Sequence, residues 1–173
     1  MTRLVACLAL LLAVAPLARA QSPAPCPWLT LGTVSHLLGE SAVVRVQLAD
    51  DGTGSCRFQP QTTANSTSVP SLILTVTAHP VAACDSNATP LRGIGNHAEE
   101  CVLAASTDHD SASAITRMAV TRIVGQVRTR WFALDATGLP QASLRNPPPR
   151  WPDEAARPTQ LELAAEQIAD NLY

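Results

Sequence analysis

Arg117 to Asp135 reads RMAVTRIVGQVRTRWFALD, and this stretch decides the fold. Two runs rich in β-branched and aromatic residues, 117–124 and 127–135, flank Gly125-Gln126. Glycine at the first central position suits a two-residue type II′ turn, so the stretch is expected to form a β-hairpin. Pairing across that turn puts Met118, Val120, Val124, Val127, Trp131 and Ala133 on one face, with Arg122 and Thr129 as polar intruders. The other face carries Arg117, Arg128 and Arg130 among Ala119, Ile123, Phe132 and Leu134.

Further strands are expected on both sides of this hairpin. Residues 43–48 form one. After the turn cluster Asp50–Gly54, residues 55–59 alternate, with Cys56 and Phe58 on one face and Arg57 and Gln59 on the other. Residues 71–78 direct Leu72, Leu74, Val76 and Ala78 inward. Gly93 and Gly95 bracket a turn into 98–104, which holds Cys101. Before the strands, Thr30 caps a short helix with Leu31, Val34, Leu37 and Leu38 on its apolar stripe, His36 off it and Gly39 as the stop. After them, Thr159-Gln160-Leu161-Glu162 is a capping box opening a helix striped by Leu161, Ala164, Ala165, Ile168 and Leu172. The expected fold class is α+β: an antiparallel sheet of about six strands flanked by an N-terminal and a C-terminal helix.

Residues 1–20 read as a secretory signal peptide. Arg3 gives the positive start, 4–16 the short apolar run, and Ala18-Arg19-Ala20 the small-residue cleavage site. Residues 21–173 are then expected to be one exported domain, with no transmembrane segment in the mature chain. The localisation that follows is periplasmic or extracellular. A proline-rich connection occupies 136–158, which is long for a link inside a compact domain.

The chain carries 12 Lys+Arg against 14 Asp+Glu, a formal net charge of −2. Loss of Arg3 and Arg19 with the leader makes it −4. That balance argues against a general nucleic-acid binder, which needs a basic surplus. Every basic residue is arginine, the mark of a GC-rich bacterial genome rather than a chemical device. With three Trp, two Phe and one Tyr in the whole chain, the core has to be mainly aliphatic.

Cys7 leaves with the leader. Cys26, Cys56, Cys84 and Cys101 remain, and an even count in an exported chain reads as two disulfides. Three pairings are possible, and Cys26–Cys56 with Cys84–Cys101 is the preferred one. The second bridge would close a loop of about 16 residues and contribute about 3 kcal/mol. Their spacing contains no C-x2-C knuckle for a structural metal.

An ordered series of short motifs runs through the chain: Cys26-Pro27-Trp28-Leu29-Thr30, Leu38-Gly39, Cys56-Arg57-Phe58, Gly93-Ile94-Gly95-Asn96-His97-Ala98 and Ala165-Glu166-Gln167-Ile168-Ala169. The series resembles a group of small bacterial exported proteins, many of them lipoproteins, that no catalytic residue defines. Such domains are similar to the α/β/α sandwich of PsbP-like proteins. The chain departs from the group by lacking a cysteine at the cleavage site and by its proline-rich connection.

Few residues offer themselves as sites. Gly93-Ile94-Gly95 lacks the third glycine and the following helix of a dinucleotide fingerprint, and reads as a turn. His97 and His109, with Glu99, Glu100, Asp108 and Asp110, are a candidate metal set, against the plainer reading of solvated loop residues. Nothing resembles G-x-S-x-G, and two disulfides leave no thiol for cysteine catalysis. Arg117, Arg128 and Arg130 are the candidate ligand-binding residues, since neighbouring arginines clamp phosphate or carboxylate bidentately. The competing reading is a solubilised outer face. Residues 146–152, Asn-Pro-Pro-Pro-Arg-Trp-Pro, fit a polyproline II segment for partner recognition or packing.

The leading expectation is a non-catalytic exported binding or envelope-associated module, needing no cofactor, whose partner is an envelope protein or an anionic ligand. Against it stand a small metal-binding protein or enzyme using His97 and His109 with nearby acids, and a secreted protease inhibitor using the proline-rich connection.

Overall fold

The computed structural model describes residues 24–61, 69–84, 87–103, 119–139, 144 and 158–173. Residues 1–20, read above as a signal peptide, Arg117, His109, most of the proline-rich connection and the 146–152 segment lie outside the described residues.

Helix α1 spans Leu31–Leu38. Strands β1 (Ala42–Leu48), β2 (Gly54–Pro60), β3 (Ser71–Thr77), β4 (Thr89–Leu91), β5 (His97–Leu103), β6 (Val120–Val127) and β7 (Arg130–Thr137) follow, and helix α2 spans Gln160–Leu172. The seven strands form one antiparallel sheet in the order β1-β2-β3-β7-β6-β5-β4. Two meanders, β1-β2-β3 and β4-β5-β6-β7, meet where β3 pairs with β7.

Both helix starts follow the sequence. Thr30 Oγ1 accepts from the Thr33 N–H, and the left-handed Gly39 ends α1. At α2 the capping box is complete, with Thr159 Oγ1 accepting from the Glu162 N–H and Glu162 answering at the Thr159 N–H. The buried stripes, Val34, Leu37 and Leu38 on α1 and Leu161, Ala164, Ala165 and Ile168 on α2, join one core with Phe58, Leu72, Leu74, Ile123, Phe132 and Leu134. Both helices therefore cover the same face of the sheet. Each fully buried large side chain contributes roughly 1.5–3 kcal/mol. Thr33 Oγ1 donates to Gln167 Oε1 and Asn171 Nδ2 to the Trp28 carbonyl, locking α1 and the segment before it to α2.

The sheet holds seven strands rather than about six. The added one, β4, is three residues long and centred on Pro90. Proline donates no ladder hydrogen bond and is tolerated in a sheet mainly at an edge, which is where β4 lies. So short a strand has no periodicity to read.

The hairpin that frames the fold turns three residues later than its glycine suggests. Val127 pairs with Arg130, and Arg128-Thr129 is the loop. Arg128 takes the positive φ of 54°, a conformation that costs an L-residue roughly 1 kcal/mol. Gly125 instead pairs with Phe132 inside the ladder. The helix-facing side is consequently Ile123, Gly125, Val127, Phe132, Leu134 and Ala136, while Val124, Trp131 and Ala133 turn the other way. Strand β7 also runs on to Thr137, into the start of the expected connection.

The chain passes from β3, in the middle of the sheet, to β4 at its far edge through residues 78–88. Cys84 anchors this passage. It is bonded to Cys101 on β5, and its N–H donates to Glu99 Oε1 at 2.8 Å. Glu99 and Cys101 both point away from the helices, so Cys84 lies over the helix-free face. The other bridge, Cys26–Cys56, ties the segment before α1 to β2 from the helix side. The preferred cysteine pairing is the one present.

Candidate binding site on the helix-free sheet face

Antiparallel registers align the strands in straight rows across the sheet. One row on the helix-free face reads Arg45, Arg57, Ile73, Asp135, Arg122, Cys101. Its right half is internally balanced. Arg122 Nε donates to Asp135 Oδ1 at 2.6 Å and Nη2 to Oδ2 at 2.9 Å, a fork-on-carboxylate pair with each side chain 23% exposed. The Asp135 contact pushes the Arg122 guanidinium still further above its ordinary pKa, against a smaller opposing effect of burial.

The left half is not balanced. Arg45 and Arg57 are direct cross-strand partners, both exposed. Among the described residues neither meets a carboxylate. Like charges directly opposite in a sheet are destabilising. Ile73 separates Arg57 from Asp135 in the row, and both Asp135 oxygens are taken by Arg122. The adjacent row continues Gln47, Ser55, Thr75. Together Arg45, Gln47, Ser55, Arg57, Ile73 and Thr75 line a shallow depression of about 330 Å³.

This lining has a definite chemistry. Two guanidinium forks, an amide and two hydroxyls supply many donors, and among the described residues no acid or histidine belongs to it. It can bind carboxylate or phosphate bidentately.

Arg128 and Arg130 lie away from this depression. Arg128 lies in the turn. Its N–H donates to Asn96 Oδ1, Gln126 Nε2 donates to its carbonyl, and its guanidinium stacks 4.8 Å from the centre of the Tyr173 ring. Arg130 Nη2 donates to the Asp51 carbonyl in the β1–β2 turn. The Asp51 carboxyl is held below its ordinary pKa, chiefly by the Thr53 hydroxyl and N–H and less by Arg130. Arg128 and Arg130 thus diverge to separate partners because the turn falls between them. Arg117 lies outside the described residues.

Of the acid–histidine set, His97, Glu99 and Glu100 are among the described residues. His97 Nε2 is 3.8 Å from Glu99 Oε2. Glu100, the next residue, faces the helices, where burial and then the Glu162 carboxylate raise its pKa. His109, Asp108 and Asp110 lie outside the described residues. Among the described residues no three His, Cys, Asp or Glu side chains gather as metal ligands, and no helix is long and apolar enough to cross a membrane.

A signal for the Arg45–Arg57 pair was present in the sequence. The two residues are equidistant from Asp51, which lies inside the turn cluster Asp50–Gly54. Folding the chain about Asp51 sets them opposite each other.

No family model, no curated protein and no solved structure matches this chain.

Proposed function

We propose that this protein is an exported, non-catalytic binding module that takes an anionic ligand on the helix-free face of its sheet, at Arg45 and Arg57. The observation that carries the reading is the unbalanced cross-strand pair. Two adjacent exposed arginines cost the fold stability through repulsion, and an anion bound between them removes that cost. Gln47, Ser55 and Thr75 add neutral donors around it. The leader-like residues 1–20 and the two disulfides support an oxidising, exported setting, since disulfides persist there.

Titration of the oxidised protein with citrate tests the reading. The backbone amide signals of Ser55, Arg57 and Thr75 should shift in a saturable way, and added salt should weaken the effect. The double variant Arg45→Gln/Arg57→Gln should lose it. No shift at these amides, or an unchanged response in the double variant, rejects the site.

A further inference from the structure

The two edges of the sheet are built differently. At one edge, β4 has three residues and a central proline. Short edge strands and proline are standard protections against pairing with another chain. At the other edge, β1 has seven residues, Ala42–Leu48, with no proline and an unbroken register to β2. It also leaves Val43 46% and Leu48 54% exposed.

The register identifies which backbone groups of β1 are free. The Gln61 N–H donates to the Ser41 carbonyl, and the Ala49 N–H to the Thr53 carbonyl. Hydrogen-bonded positions in an antiparallel pair alternate, so Val43, Arg45 and Gln47 bond to β2. Ala42, Val44, Val46 and Leu48 turn their N–H and C=O groups outward. Among the described residues nothing pairs with that edge.

We propose that β1 receives an extended, acidic peptide segment of a partner protein as an eighth strand, with a carboxylate side chain set beside Arg45 and Arg57. This deepens, and rests on, the reading of those two arginines as an anion site. Main-chain pairing to an edge strand supplies affinity, and the side chains of alternate residues supply specificity. A residue opposite Arg45 lies on the helix-free face with its Cβ about 5 Å away, so an Asp or Glu there meets the Arg45 guanidinium directly and Arg57 across it. The two residues flanking that acid in the strand lie on the opposite face beside Val44 and Val46, which pack on the core, and are expected to be apolar. The strand sought therefore alternates apolar and acidic residues.

Charge argues against a second copy of this chain as the occupant. Arg45 is the central residue of β1. A full-length symmetric antiparallel pairing would set Arg45 opposite its own copy and line up Arg57, Arg45, Arg45 and Arg57. An acidic strand neutralises the row that a second copy would extend.

The probe is a fluorescent seven-residue peptide of alternating Val and Glu, matched by a Val/Gln peptide and by a Val/Glu peptide N-methylated at alternate amides. The protein variants are Val46→Pro, which removes one outward N–H and leaves both arginines in place, and Arg45→Gln/Arg57→Gln. The Val/Glu peptide is expected to bind, and each of the other peptides and both variants to weaken binding by about tenfold or more. Citrate should still bind Val46→Pro, which also checks that this variant is folded; the N-methylated peptide tests the edge on the unaltered protein. Citrate binding with no discrimination between the normal and N-methylated Val/Glu peptides overturns strand addition and leaves the anion site standing. Equal binding of the Val/Glu and Val/Gln peptides overturns the acidic partner. A concentration-dependent dimer in sedimentation that Val46→Pro abolishes gives the edge to a second copy and overturns the proposal.

Discussion

Gly125 and Phe132 face each other across the β6–β7 hairpin, and a β-carbon at position 125 would stand 2.4 Å from the Phe132 ring. The ring occupies the space a side chain would take. Phe132 is fully buried and belongs to the core under the helices. Gly125→Ala should therefore push the ring off its packing and destabilise the protein by about 1–3 kcal/mol. Urea denaturation of Gly125→Ala, Phe132→Leu and the double variant measures it. Most of the alanine cost should vanish in the Phe132→Leu background, as expected for residues in direct contact. Additive costs would mean that the two do not touch.

Arg122 and Asp135 are the one balanced pair in the charged row. The two-bonded fork fits arginine and not lysine. Arg122→Lys is expected to cost about 1 kcal/mol, and Asp135→Ala about 2 kcal/mol because it strands a half-buried cation. Melting temperatures of the two variants, read against wild type, check the order.

Arg45 and Arg57 should behave in the opposite sense. Arg57→Gln relieves a like-charge pair and is expected to raise stability by a few tenths of a kcal/mol at low ionic strength. The gain should shrink as salt screens the repulsion. A salt-independent gain, or a loss, would show that the pair is neutralised by some other part of the chain.

Glu100 makes stability depend on pH. Burial, and secondarily Glu162, raise its pKa above the ordinary 4.5. Between the ordinary and the raised value the folded protein holds more protons than the unfolded chain, so this group's contribution is fully present below that window and is lost as pH rises through it. Glu100→Gln should flatten that fall and stabilise the protein at neutral pH by less than about 1 kcal/mol, because the side chain keeps partial contact with water. Urea midpoints at about pH 4 and about pH 7 give the comparison.

The Cys84–Cys101 bridge holds the long passage from β3 to β4 against β5. Replacing both cysteines with alanine is expected to cost about 3 kcal/mol. Hydrogen exchange should quicken first in β4 and its partner residues Ala98, Glu99 and Glu100. Uniform loss of protection across the sheet would indicate that the passage is not a local unit.

Much of this fold could be read from local chemistry. Thr30 with Gly39 and Thr159 with Glu162 marked both helices, because caps act within one turn of chain. The alternation of Leu72, Leu74 and Val76 marked β3, because side chains in a strand alternate whatever lies beside them. The even set Cys26, Cys56, Cys84 and Cys101 announced two bridges. Tertiary structure alone decided where the hairpin turns. Gly125 carries a strong turn signal, yet it is needed where the Phe132 ring crosses the ladder, and the turn went to Arg128-Thr129 in spite of the positive φ at Arg128. That shift sent Arg128 and Arg130 to different partners. The register of the β1–β2 hairpin set Arg45 beside Arg57, and only the sheet decided that no carboxylate stands beside them among the described residues. Sequence fixes what a residue can do within a few neighbours along the chain; which residues share a face and a row depends on packing energies summed over the whole sheet.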